Sequence, residues 1–118
     1  MFVGRVVGTV WSTVKWPEVE GLKLLAVQPY HLDDLAGDQR PASRSSDLVI
    51  CADTLDAGVG DEVVVAYGHA ARVAICPPTT PDGKPSVPVD AAIVAIIDGI
   101  DVDAAALAAA RAVSEDQV

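Results

Sequence analysis

His69 and Arg72, in the stretch GHAAR, are the residues of this chain best suited to acid and base work. An imidazole changes charge near neutral pH, but a general base must also reach a nucleophile or a carboxylate, and no local motif supplies one. A carboxylate such as Asp53 would have to arrive by folding or across a subunit boundary. His31, Asp33 and Asp34 lie together in a polar stretch, yet a metal site needs further convergent ligands, so a solvated turn is the simpler reading. Cys51 and Cys76 form no close pair and no cysteine-histidine spacing; they read as reduced, mostly buried thiols. Ser12, Thr13, Ser45 and Ser46 have no nucleophile-elbow context, and Gly58, Val59 and Gly60 are too short a run for a phosphate-binding fingerprint. The remaining polar residue of interest is Gln28, at the end of the apolar run GLKLLAVQ. In a strand it shares a face with Leu22, Leu24 and Ala26, where an unpaired carboxamide would cost about 1 to 3 kcal/mol. Its amide either bridges strands within the fold or satisfies a backbone group of another chain, and leucines on its face favour the first.

The elements that must position these residues are short strands. FVGRVVGTVWSTVK alternates as a strand, with Phe2, Gly4, Val6, Gly8, Val10 and Ser12 on one face, and its two glycines imply a bend or a close backbone approach. KWPEVEG breaks the pattern, and GLKLLAVQ forms a second strand that Pro29 ends, the two making a hairpin. Residues 30 to 47 are polar and read as an exposed connection. SDLVICAD and DEVVVAYG are the next strands, joined by TLDAGVG, where Gly58 and Gly60 permit positive φ. ARVAIC is either an extended piece or a short helical turn, and PPTTPDGKPSVP is a loop. AAIVAIID is continuously apolar and reads as a buried strand. DVDAAALAAARAVSEDQV reads as a helix with Asp101 or Asp103 as its N-cap and a fraying end. Several short strands with turn signals and one terminal helix predict a mainly β protein built on a small barrel.

Composition narrows the function classes. The chain has 118 residues, enough for one compact domain, and 51% of them are hydrophobic while only 4% are aromatic. A core of small branched side chains favours tight sheets over large ligand pockets. The formal net charge is −9, with only 8 scattered basic residues, which argues against nucleic acid and against anionic membranes. No segment approaches the roughly 20 apolar residues of a spanning helix, and the N-terminus has no cationic start or long apolar core; a soluble, intracellular protein is expected. No cofactor and no metal is expected. Abundant glycine and small residues suit assembly; the alternative is an oligomeric OB-like binding module for a small ligand or a single strand, for which Trp11 and Trp16 are present but which the acidic balance disfavours.

The residues also resemble a known family. Met1, Gly4, Val6, Gly8, Val10, Ser12, Thr13 and Lys15 stand where the EutN/CcmL vertex proteins of bacterial microcompartment shells have theirs. Gly21, Lys23, Leu24, Leu25, Val27, Gln28 and Pro29 meet that family's most specific signature in full. Ala52, Asp53, Ala57, Gly58, Gly60, Asp61 and Val63 match a third stretch, and Asp90, Ala91, Ile93, Val94, Ile97 and Asp98 match the last strand. Gly68, His69, Ala70, Ala71 and Arg72 depart from the Gly-Ser-Ser-Ala-Arg of relatives. The resemblance implies an OB-like β-barrel over residues 1 to 100, with residues 101 to 118 as a short C-terminal helix and tail. It further implies a cyclic pentamer with a narrow axial pore, no enzymatic turnover, hexameric shell proteins as partners, and a cytoplasmic location in the shell. A catabolic compartment is expected rather than a carboxysome. Gln28, Gly58, Val59, Gly60, Gly68, His69 and Arg72 are the expected subunit-boundary or pore positions.

Overall fold

The computed structural model describes residues 1–31, 47–75 and 87–116. The elements are β1 (Phe2–Val10), a 3₁₀ turn (Pro17–Val19), β2 (Lys23–Pro29), β3 (Val49–Asp53), β4 (Glu62–Tyr67), α1 (His69–Ile75), β5 (Ala91–Ile97) and α2 (Ala104–Asp116). The strands close in the order β1-β2-β3-β5-β4, with β4 returning to pair with β1. All pairs are antiparallel except β3 with β5, where Ala52 lies opposite Ala92 and Asp53 opposite Ile93. A closed ring of strands leaves no edge to aggregate, and this order is the five-stranded, OB-like barrel.

The interior follows from the alternation of the strands. Val6, Leu25, Val27, Val63, Val65 and Ile93 point inward and are essentially inaccessible, joined by Cys51 and Ala57, with Phe2 and Val49 closing over them. Each fully buried aliphatic side chain contributes roughly 1.5 to 3 kcal/mol. Phe2 of β1 stacks on Tyr67 of the adjoining β4 at 6.2 Å between ring centroids.

The predicted hairpin of β1 and β2 is present, but the first strand stops at Val10 instead of running to Lys15. Val10 faces Leu24 in the last pair, next to Lys23 where β2 begins, so beyond it β2 offers no further residue to pair with. The single-face alternation from Phe2 to Ser12 also fails. The register shifts between Val6 and Gly8, so Val6 pairs with the inward Val27 whereas Gly8 pairs with Ala26 on the opposite face. One extra residue in a strand inverts every side chain after it. Gly4 supplies the expected close approach: a Cβ there would lie 2.6 Å from the Gln28 carbonyl oxygen. Pro29 ends β2 as predicted, and the ladder is carried on by Tyr30, whose N–H donates to the Val3 carbonyl at 2.9 Å.

The stretch left open between strand and helix is helical, as α1, whose Ala71 is fully buried. At α2 the N-cap is Asp103: its carboxylate accepts from Ala106 N–H at 2.9 Å and its carbonyl from Leu107 N–H at 2.9 Å. Cys51 is a buried free thiol. Cys76, Asp33, Asp34, Ser45, Ser46, most of the predicted 30–47 connection and most of the 77–88 loop lie outside the described residues. No described helix is long and apolar enough to cross a membrane.

Candidate functional site

The best-organised polar cluster is the turn of residues 54–61, which joins β3 to β4. It begins at Asp53, which the end of β3 carries into the barrel with its side chain fully buried. An unmatched carboxylate there would be expensive, and three donors meet it. Leu55 N–H donates to Oδ1 at 2.9 Å, Ala57 N–H donates to Oδ2 at 2.8 Å, and the Lys23 ammonium lies 3.2 Å from Oδ2. Strand register makes the last contact possible, because Lys23 at the head of β2 faces Asp53 directly.

The same ammonium lies 3.3 Å from Asp56 Oδ1 and donates to the Ala57 carbonyl at 2.7 Å. Three oxygens therefore converge on one cation. Partial desolvation lowers the Lys23 pKa, but the bonds to Asp53 and Asp56 outweigh it and hold the group above its usual 10.5. Further on, Gly58 N–H donates to Asp61 Oδ2 at 2.9 Å, and Gly60 N–H and the Asp61 carbonyl both bond to the backbone of Val6 at 2.9 Å. Asp56 takes φ 63 and Gly60 φ 97. The positive φ expected at Gly60 is present, but the second one falls on Asp56 instead of Gly58. Aspartate tolerates the left-handed region, and here its carboxylate also meets Lys23.

The predicted site residues do not gather. Gly58, Val59 and Gly60 sit in the turn just before β4, with Val59 65% exposed. Gly68, His69 and Arg72 sit past its end, six strand residues or roughly 20 Å away. Gly68 donates to the Asp90 carbonyl at 2.7 Å, and the supposed loop at 68–72 is mostly the first turn of α1, from which His69 and Arg72 project into solvent. Both Asp53 oxygens are occupied by the turn and Lys23, so Asp53 is not poised as a partner for His69. His31 meets Asp47 at 3.4 Å, and no group able to hold a metal occurs among the described residues.

Gln28 corrects the inner-barrel expectation. Leu25 and Val27 line the core, so Gln28, with Leu24 and Ala26, lies on the outer face opposite Arg5 of β1, and it is nevertheless only 6% exposed. Trp11 and Trp16 stand exposed on the connection between β1 and β2. Lys23 and Asp53 both stand at signature positions, yet nothing in the sequence marks them as partners. Thirty residues separate them, and only the β2–β3 register reveals their pairing.

Burial also sets the chemistry of Cys51: desolvation, with a smaller contribution from Asp90, raises its thiol pKa from 9.0 to about 12, so it stays protonated and unreactive near neutrality.

Comparison with known proteins gives a uniform result. The family described as ethanolamine utilisation protein EutN/carboxysome matches residues 1–98. The carboxysome shell vertex protein CcmL of Gloeobacter violaceus is 37% identical over 103 residues, covering 87% of this chain and 88% of that protein. The bacterial microcompartment shell vertex protein PduN of Salmonella typhimurium is 35% identical over 98 residues, covering 83% and 96%. Among solved structures, the GrpN pentameric microcompartment shell protein from Rhodospirillum rubrum superposes with a TM-score of 0.64 at 29% identity, over 87% of this chain and 100% of that one. Barrel, signature positions and extent of match agree, and the chain belongs to the EutN/CcmL family.

Proposed function

We propose that this protein is a structural shell component that closes into a pentamer and caps the vertices of a polyhedral bacterial microcompartment in the cytoplasm. The observation that carries the reading is the match of the entire barrel, residues 1–98, to a family whose relatives are shell vertex proteins. A sheet of hexagonal tiles cannot close without pentagons, so the proposed partners are hexameric shell proteins along the pentamer edges. Carboxysome and other microcompartment vertex proteins stand about equally near, and the proposal is the role common to both.

The same reading assigns no catalysis. Its support is that Asp53 is committed to the turn and Lys23, while His69 and Arg72 point into solvent. Gln28, the turn at Gly58, Val59 and Gly60, and the segment of Gly68, His69 and Arg72 are the proposed boundary or pore positions. Their separation along β4 suits a head-to-tail ring, which needs two different patches on each subunit. Residues 1–100 form the shell domain in this reading and residues 101–118 an appended helix and tail.

Native mass spectrometry at low micromolar concentration tests the proposal. A closed five-chain species is expected; a stable monomer or dimer overturns it.

A further inference from the structure

The turn of residues 54–61 is not a conformation the chain would hold unaided. It passes through left-handed backbone twice, once at a residue with a side chain, and it presents Val59 and Leu55 to solvent. Such a segment stays ordered only if the surroundings over-determine it. The bonds from Leu55, Ala57 and Gly58 to carboxylates are made close in sequence, and Gly60 and Asp61 tie the far end to β1. Lys23 differs, because it comes from β2 and grips the turn on both sides of the left-handed Asp56. It holds Asp53 before that residue and the Ala57 carbonyl after it. The Asp56 carboxylate is fully exposed and adds little, whereas the carbonyl contact at 2.7 Å is short and charge-assisted.

We propose that Lys23 and Asp53 are positioning residues for ring closure: the tethered ammonium fixes how the turn presents Val59 to the neighbouring subunit. The inference rests on the pentamer reading above. A turn that is already ordered loses little conformational freedom when a subunit docks on it, whereas a loosened turn must be ordered at that moment and weakens the contact.

Hydrogen exchange by mass spectrometry and native mass spectrometry on the full chain test this together, comparing wild type with Lys23→Met, Lys23→Arg and Asp56→Ala. In Lys23→Met the amides of 54–61 should exchange about tenfold faster, a larger increase than that of the amides of β1 to β5, and the concentration for half-dissociation of the ring should rise about tenfold. Lys23→Arg, which keeps a cation, should recover part of both effects. Asp56→Ala, which removes an exposed carboxylate and puts a residue less tolerant of left-handed backbone at φ 63, should show an increase confined to the same segment. Unchanged exchange at 54–61 in both Lys23→Met and Asp56→Ala overturns the assignment, as does a Lys23→Arg variant no better than Lys23→Met. If wild type forms no ring, the vertex reading fails along with the closure role, while exchange at 54–61 still decides whether Lys23 orders the turn.

Discussion

The turn of residues 54–61 and helix α2 both lie at the margin of the barrel, and they are held by opposite means. The turn has poor local propensity and is fixed by distant partners: Lys23 from β2, Val6 from β1 and the buried Asp53. The helix has excellent local propensity, with alanines and an Asp103 cap, but among its described side chains only Leu107 is buried. Tertiary ties make the stability of a segment part of the stability of the barrel, whereas local propensity leaves it independent. Damage near the turn should therefore be felt in the stability of the barrel, and damage to the helix should stay in the helix.

The largest effect should come from the barrel that anchors the turn. Leu25→Ala, emptying a fully buried site, should cost about 2 to 5 kcal/mol in urea denaturation. Gly4→Ala should cost about 3 kcal/mol, because the added methyl meets backbone at 2.6 Å and backbone cannot turn aside. Asp53→Asn comes next, at about 1 to 3 kcal/mol, chiefly from the two backbone N–H groups it deprives of a charged acceptor. The ion pair itself counts for less, since Lys23 is 41% exposed.

A pH series gives a smaller and directional effect. The Cys51 thiol ionises near 9.0 in the unfolded chain and near 12 in the fold. Between those values the native state keeps a proton that the unfolded chain has released, so stability falls as pH rises, by at most about 1.4 kcal/mol per unit. Below pH 9 the contribution is fully present. Thermal melts of Cys51→Val should lack this part of the alkaline decline; identical slopes for variant and wild type would sink the prediction.

The smallest effect on the barrel should come from the helix. Asp103→Ala should weaken α2 by about 1 kcal/mol and reduce the helical signal in circular dichroism. Truncation after residue 100 should leave the unfolding free energy of the barrel within about 0.5 kcal/mol of wild type. A truncated chain that melts much earlier would break the comparison, by showing that α2 is coupled to the barrel.

Most of the strand inventory was legible because the strands are largely apolar runs, two of them stopped at a proline or glycine, Pro29 and Gly68. The bulge after Val6 was not, because a Gly-Val alternation reads equally well on either face. The outer placement of Gln28 escaped for a related reason: both faces of β2 are apolar, so leucines alone could not mark the inside. The helical nature of α1 was undecidable over so short a run. The family was legible from signature residues, yet the contact that explains two of them, Lys23 with Asp53, spans thirty positions and becomes visible only through strand pairing.

Two carboxylates and a carbonyl arranged around a positive charge are the donor set with which calcium-binding loops hold their ion. Here the cation is a lysine on a four-carbon stem. It cannot be lost by dilution or stripped by a chelator, and it needs no particular ion concentration in its surroundings. The order of this turn is thus built into the polypeptide, and EDTA should leave it as it is.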